Sequence, residues 1–508
     1  MLPYIIGFSF SVAASSFLSW VIRTLASRLN LMRPPHTHHI HEVPTPRLGG
    51  LAIYGTFLMM FLVYVIASGH GWVKAPTSLK LAKILAIGTF VLILGVVDDL
   101  VGVHPRIKLL VEGAAGLGLY AFGIRFNFFC GMHFAGSWTW VLCLAMTVAW
   151  VILICNAINL IDGVDGLAAG ATMFSMVTIF IVAQGTQPGI AAATTIMAGS
   201  LLGFLIFNFN PASIFLGDSG SLFLGFMLSA FVLSEQSNAP SQNTFVNLLV
   251  PVVCFALPLT DVALSVLRRF LSGHSIFRAD KEHIHHKLLN LGLSQRQVVC
   301  VLYGVSALFS SLSLFLLNRS RMSLLLVFTV LSLTIFFGLK KLRYHEFEEF
   351  LSIPQIGLQS RKVLARNIGI RKAATELQRS CDLVDIATLL KANLKQGFDG
   401  FAVMLDADAI GRIHLPHPWA GGLLEVNWKS GTEALALGLI SNDGLLFGEL
   451  FLYHDGSSSI VVRPDLLTEL QCSISKALLN AVASDQDGVP LHSSLMNRQI
   501  QLSTEYSQ

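Results

Sequence analysis

The residues with the most chemistry in them are acidic and lie where an apolar chain should have none. Between Trp150 and Gly170 a hydrophobic run gives way to Asn156, Asn159, Asp162 and Asp165, punctuated by Gly163 and Gly166, and a second hydrophobic run follows. Charge and bare backbone are expensive beside lipid, so this knot must face water, protein or a ligand. Helical spacing puts Asn159, Asp162 and Asp165 on one face of a helix end, because residues three apart are neighbours there. Carboxylates converging in that way repel unless a cation or protons lie between them. Mg²⁺ suits the gap, since it prefers oxygen ligands and bridges one or two carboxylates to a phosphate. The alternative is a helix terminus whose Asn and Asp simply cap free backbone amides.

Four further polar clusters interrupt the chain: residues 36–50 with Arg47, 96–108 with Asp98, Asp99 and Lys108, 207–221 with Phe215 and Asp218, and 268–289 with Arg269, His283, His285 and His286. Carboxylates, histidines and arginine in these proportions suit a metal-bound nucleotide meeting an anionic lipid headgroup. A transporter or flippase, which uses intramembrane carboxylates to relay ions, is the other class that carries such residues. Lys108 reads as a lipid-phosphate contact or as ordinary interfacial snorkelling. The three histidines could in principle hold zinc, but no cysteine or other closely spaced ligand accompanies them.

The elements that must position these clusters are membrane helices. Of 508 residues 53% are hydrophobic and only 13% charged, and the mean hydropathy is +0.65. Apolar runs of spanning length lie near 3–22, 48–68, 80–97, 108–125, 137–157, 166–184, 188–207, 219–235, 245–267, 297–317 and 322–340, about eleven in all. Lys and Arg concentrate in loops of one parity, at Arg23, Arg28, Arg33 and Arg47, at 268–296 and at Lys340, Lys341 and Arg343. That asymmetry places the N-terminus outside and the tail in the cytoplasm, with all five clusters on the cytoplasmic side. The expected fold class is an all-α polytopic membrane protein carrying a C-terminal cytoplasmic α+β domain. Residues 1–343 form the membrane domain, 344–374 a linker, 375–486 the soluble domain and 487–508 a disordered tail. In the soluble domain 375–396 and 464–484 read as helices, and 400–406, 422–428, 434–440 and 445–453 as strands. The arrangement is loosely similar to GAF domains and leaves regulation or a homodimer open. A net charge of +4 on this length does not call for nucleic acid, and seven scattered cysteines outline neither a disulfide framework nor a zinc site.

In this order, G-V-V-D-D-L, N-A-I-N-L-I-D-G-V-D-G-L-A-A-G, F-L-G-D-S-G-S-L-F-L-G and A-D-K-E-H-I-H-H-K-L-L resemble the polyprenyl-phosphate N-acetylhexosamine-1-phosphate transferases. The H-I-H-H form is most similar to the bacterial undecaprenyl-phosphate N-acetylglucosamine-1-phosphate transferases. The resemblance covers about residues 1–340 and implies a reaction: UDP-GlcNAc and undecaprenyl phosphate give undecaprenyl-diphosphate-GlcNAc and UMP, with Mg²⁺ or Mn²⁺. This is a first membrane step in cell-envelope polysaccharide synthesis, such as lipopolysaccharide or teichoic acid, at the bacterial inner membrane. Another UDP-N-acetylhexosamine remains the alternative donor.

The resemblance also implies roles. Asp218 matches the metal-ligand aspartate. Asp98 and Asp99 match the aspartate pair that acts as base or orients the lipid phosphate. Asn159, Asp162 and Asp165 match positions that bind nucleotide or metal, and Phe215 sits where an aromatic stacks on uracil, or else is a core phenylalanine. Arg269, His283, His285 and His286 resemble sugar-diphosphate contacts. Relatives carry D-x-P-x-x-R-K-x-H before the P-x-P-R-x-G-G turn. Here Arg33, Pro35, His38, His39 and His41 precede Pro44, Pro46, Arg47, Gly49 and Gly50. Either the histidines share the lipid anion with Arg47, making that attraction depend on protonation, or Arg47 handles the anion by itself.

Overall fold

The computed structural model describes residues 1–29, 45–69, 78–126, 138–238, 244–271, 283–318 and 320–342, and in the tail 361–378, 380, 382–395, 397–406, 416, 419, 421–428, 433–440, 446–454 and 464–486. The chain divides into two compact units, Met1–Ser265 with Ala279–Leu342, and Val266–Arg278 with Arg343–Gln508.

Up to Leu342 the described chain is helical: α1 (Leu2–Arg28), α2 (Gly49–Gly69), α3 (Ser78–Val101), α4 (Pro105–Ala121), α5 (Thr139–Ile161), α6 (Leu167–Ala183), α7 (Pro188–Asn208), α8 (Gly217–Asn238), α9 (Thr244–Cys254), α10 (Ala256–Leu271), α11 (Ile284–Asn290), α12 (Gln295–Phe315) and α13 (Arg321–Lys341). Among the described residues, eight helices are long and apolar enough to cross a membrane: α1, α2, α3, α5, α7, α8, α12 and α13. The chain is a multi-pass membrane protein. The other three of the expected spans fall on shorter helices. α4 and α6 have 17 residues each, and the run at 245–267 is divided into α9 and α10 at Phe255. The division has a covalent cause, because Pro258 lacks the N–H that would bond back to the Cys254 carbonyl.

α8 is the hub. From Leu222 to Leu233 its apolar residues are buried almost without exception, and it packs on α2, α3, α5 and α6. α1 and α13 lie at the periphery and leave Phe10, Phe17, Leu325 and Phe337 exposed, as lipid-facing helices do. In an apolar medium, helix-to-helix contact relies on small polar side chains. Ser15 Oγ accordingly donates to the Ser200 carbonyl at 2.6 Å, tying α1 to α7.

α3 and α8 run antiparallel, so each end of the pair carries its own polar group. At the end away from Asp99 and Asp218, Lys80 Nζ and Gln187 Nε2 both donate to the Ser234 carbonyl, at 3.1 and 2.9 Å, and Thr186 Oγ1 donates to Glu235 Oε2 at 3.0 Å. This group satisfies the Ser234 carbonyl near the end of α8 and one oxygen of Glu235.

In the second unit the tail contains α14 (Arg361–Leu377), α15 (Leu383–Leu394), β1 (Gly400–Leu405), β2 (Leu423–Asn427), β3 (Glu433–Ile440), β4 (Leu446–His454) and α16 (Pro464–Gln486). The strands form one antiparallel sheet in the order β2-β1-β4-β3. Phe401, Val403 and Leu405 of β1 and Leu450 and Leu452 of β4 are buried in one core with Ile370, Leu390, Leu470 and Ile474 from the helices. α14 corrects two expectations, since it occupies the end of the stretch read as linker and is separate from α15. Its charged residues disguise an apolar face of Ile368, Ile370, Ala373, Ala374 and Leu377. α15 starts anew because the Asp382 side chain caps it, accepting from the Val384 N–H at 3.2 Å.

Candidate active site

Backbone pairing builds the floor of the site. The Phe215 N–H donates to the Pro46 carbonyl at 2.8 Å, and the Gly49 and Gly50 N–H groups donate to the Phe215 and Leu216 carbonyls at 3.0 Å each. This pins Arg47 beside the start of α8. Ile214 and Leu216 turn into the core, and the ring of Phe215 between them is half-buried. Gly217 follows with φ +72°, and a Cβ there would lie 2.0 Å from the Arg47 carbonyl oxygen and 2.6 Å from Asp99 Oδ2. Only glycine allows the chain to turn into α8 at this point.

Asp99 closes the turn. Its Oδ1 accepts from the Asp218 N–H and its Oδ2 from the Ser219 N–H, both at 2.9 Å. The last turn of α3 thus caps the first turn of α8. Both oxygens of Asp99 are engaged with backbone, which makes it the residue that sets where Asp218 stands. Asp98 faces the other way. Its Oδ1 accepts from the Val103 N–H at 2.6 Å, and its Oδ2 binds the Lys108 ammonium at 2.7 Å. Lys108 also donates to Asp218 Oδ2, so one ammonium bridges two carboxylates from different helices. The bridge depends on the short turn 102–104, which folds α4 back so that Lys108 reaches Asp98, ten residues earlier.

One turn beyond Lys108, Glu112 is completely buried. Asn156 Nδ2 donates to its Oε2 at 2.6 Å, whereas Oε1 has no hydrogen-bond partner among the described residues. Sequence reasoning missed Glu112 and gave Asn156 no role. The available signal was an acid within an apolar run, four residues from a lysine on a helix.

The central knot departs from the expected single helix face. α5 ends at Ile161, and Asp162 to Gly166 form a turn in which Gly166 has φ +81°. Asn159 stays on the helix, where its Nδ2 donates to Ser221 Oγ of α8 at 2.9 Å. Asp165 turns toward the loop before α8, and its Oδ2 accepts from Asn210 Nδ2 and from the Ala212 N–H, both at 3.1 Å. Asp162 remains among the other acids. Burial, then the charges of Asp218, Asp99 and Asp165, hold its carboxyl well above the usual carboxylate range, with Arg47 pulling the other way.

The histidines meet this knot from α11. A Cβ on Gly163 would lie 2.3 Å from His285 Nε2, so the imidazole rests on the glycine backbone next to Asp162. Burial pushes His285 down to about 3, His286 beside it adds to the shift, and the ring is neutral at physiological pH. His283 is buried, and His286 is half-buried with its ring centroid 4.3 Å from that of His285. Arg269 sits in the last turn of α10, within the stretch Val266–Arg278 that groups with the tail. His38, His39 and His41, and loop residues 272–282, lie outside the described residues.

This contact yields a prediction. Gly163→Ala is expected to lower stability by about 1–3 kcal/mol through overpacking against the ring. His285→Ala in the same protein should remove most of that penalty, because the two sites are in contact. Thermal melts of the four proteins in the cycle check this, and strictly additive effects would contradict it.

Residues 81–235 match the family described as glycosyl transferase family 4. The chain is 32% identical to the probable undecaprenyl-phosphate N-acetylglucosaminyl 1-phosphate transferase of Bacillus subtilis, over 61% of this chain and 84% of that protein. It is 33% identical to the decaprenyl-phosphate N-acetylglucosaminephosphotransferase of Mycobacterium tuberculosis, over 61% of this chain and 82% of that protein. With the undecaprenyl-phosphate alpha-N-acetylglucosaminyl 1-phosphate transferase of Escherichia coli K12 it shares 26% identity, over 57% of this chain and 77% of that protein.

Proposed function

We propose, since this chain belongs to the polyprenyl-phosphate N-acetylhexosamine-1-phosphate transferase family, that it transfers N-acetylglucosamine 1-phosphate from UDP-GlcNAc to undecaprenyl phosphate and releases UMP. The observation that carries this reading is the Lys108 ammonium bridging Asp98 and Asp218 at the helix ends, with Asp162 in the same acidic group. A site for phosphoryl transfer needs fixed positive and negative groups where phosphates meet, because catalysis there is mostly positioning and charge neutralisation.

The reaction needs little from a base. An oxygen of the lipid phosphate attacks the β-phosphorus of UDP-GlcNAc, a new P–O bond forms, the bond to the α-phosphate bridging oxygen breaks, and UMP leaves. The acceptor is already an anion, so no proton has to be removed from it. Lys108 and Arg47 hold the lipid phosphate in this account. Asp99, with both oxygens on the α8 backbone, fixes Asp218. Phe215 offers a half-buried ring for uracil, Asn159 and Asp165 brace the nucleotide side, and His283, His285 and His286 receive the sugar diphosphate.

Mg²⁺, or Mn²⁺, fits the donor set. Among the described residues no three His, Cys, Asp or Glu side chains converge closely enough to hold an ion without further ligands. Mg²⁺ asks for one or two carboxylates, with substrate phosphates and water supplying the rest. Asp218 and Asp162 would hold it, and Asp162 is crowded by acids that a cation would relieve. When bound, the ion supplies charge neutralisation on the diphosphate and the departing UMP.

The reading puts the site on the cytoplasmic side of a bacterial inner membrane, with the N-terminus outside. The tail is read as a GAF-like regulatory or dimerising domain. A chain ending near Arg343 is therefore expected to keep synthesising the sugar lipid, since the five clusters precede residue 290. A folded but inactive truncation would show that the tail is needed for the reaction. The donor is tested by supplying purified protein with a panel of UDP-N-acetylhexosamines and undecaprenyl phosphate. UMP release is expected with UDP-GlcNAc; release only with another member of the panel would refute that sugar.

A further inference from the structure

The transferase reading assigns no part to Asp261, which lies on α10 and is 2% exposed. Both of its oxygens are engaged. Oδ1 accepts from the Ile284 N–H at 2.8 Å, and Oδ2 meets His283 Nδ1 at 2.8 Å. Ser265, one turn further along α10, brings its Oγ to 3.3 Å from the same nitrogen. His283 stands at the N-cap of α11 with extended backbone, but its own side chain does not cap the helix. Asp261 does so from another helix, and in the same contact it grips the imidazole.

The grip extends to the next histidine. The His283 and His285 rings are nearly parallel, 6° apart, with centroids separated by 5.7 Å. His285 is 2% exposed, and its Nε2, the atom lying on Gly163, has no hydrogen-bond partner among the described residues. A buried polar nitrogen is ordinarily satisfied, so this one points to a ligand group. A carboxylate accepts hydrogen bonds and donates none, so the pairing puts a hydrogen on His283 Nδ1 and fixes which way the ring faces.

We propose that Asp261 is a positioning residue for the nucleotide-sugar donor: by holding His283 through Nδ1 it aligns the stacked His285, whose Nε2 then meets a hydroxyl or amide of the sugar beside Gly163 and Asp162. This rests on the transferase reading.

The test is Asp261→Asn in the full-length protein. The carboxamide keeps the shape but has one acceptor oxygen for two donors. KM for UDP-GlcNAc is expected to rise about 10- to 100-fold, the size of effect seen when the carboxylate behind a metal-ligating histidine is removed. KM for undecaprenyl phosphate should stay unchanged, as should both constants in Ser265→Ala, which leaves the carboxylate in place. In parallel, ¹⁵N-histidine NMR of the detergent-solubilised wild type should show His283 bearing hydrogen at Nδ1, and Asp261→Asn should disturb that signal. Equal shifts in both KM values, or none, would overturn the proposal. So would a wild-type His283 with hydrogen at Nε2 only, a result that holds even if Asp261→Asn fails to fold. A wild type showing the Nδ1 hydrogen but giving no product from any UDP-N-acetylhexosamine would instead refute the transferase reading, and with it the donor assigned to Asp261.

Discussion

Asp218→Asn is expected to lower turnover by about a thousandfold or more while the protein remains folded. The substitution removes a negative charge from the carboxylate that shares Lys108 with Asp98 and would help to hold Mg²⁺, and a neutral amide cannot offset a cation in the same way. It leaves the architecture intact, because the Asp218 backbone N–H donates to Asp99 and Lys108 retains Asp98. Rate and stability should therefore separate. UMP release and thermal unfolding, measured on the same preparation, check this, and a folded variant keeping more than about a tenth of the activity would remove Asp218 from the centre of the account.

Asp99→Asn should behave differently, although the two residues were grouped by their chemistry. Asp99 accepts two backbone N–H groups at the start of α8, and an amide has one oxygen for them while its own NH₂ opposes the second. Losing an N-terminal cap costs about 0.5–2 kcal/mol, so the melting temperature should fall together with the rate. The drop in turnover is expected to reach about a hundredfold, because a small displacement of Asp218 is enough to spoil its alignment. A melting temperature unchanged alongside a lost rate would mean that Asp99 acts directly on substrate.

What could be read in the sequence follows from how local the physics is. Apolar runs, acids out of place and a glycine-punctuated knot mark the helix ends without any tertiary information. The strands of the tail appear within a residue or so of their observed limits because alternation and turn residues are also local. Asp99 as the cap of α8 could not be read, since its partners lie more than a hundred positions away. Glu112 with Asn156 and Asp261 with His283 are nearer in sequence, 44 and 22 positions apart, yet these pairs too are joined only when helices pack. The knot misled in a different manner. A spacing of three suggested one helical face, but Gly163 and Gly166 break the helix and send Asp165 to the Asn210 loop while Asp162 stays with the acids. α14 was read as linker because its charges outweigh its buried stripe in composition, though not in packing.

The central claim is that the sugar moves together with its phosphate. It is tested most directly by giving the purified protein UDP-GlcNAc labelled with ³²P at the β-phosphate, undecaprenyl phosphate and Mg²⁺, then separating the organic phase from the aqueous. The label should enter the lipid in the same amount as unlabelled UMP is released. Label retained in the aqueous phase as UDP, with sugar alone reaching the lipid, would contradict it, as would label staying entirely in UDP-GlcNAc.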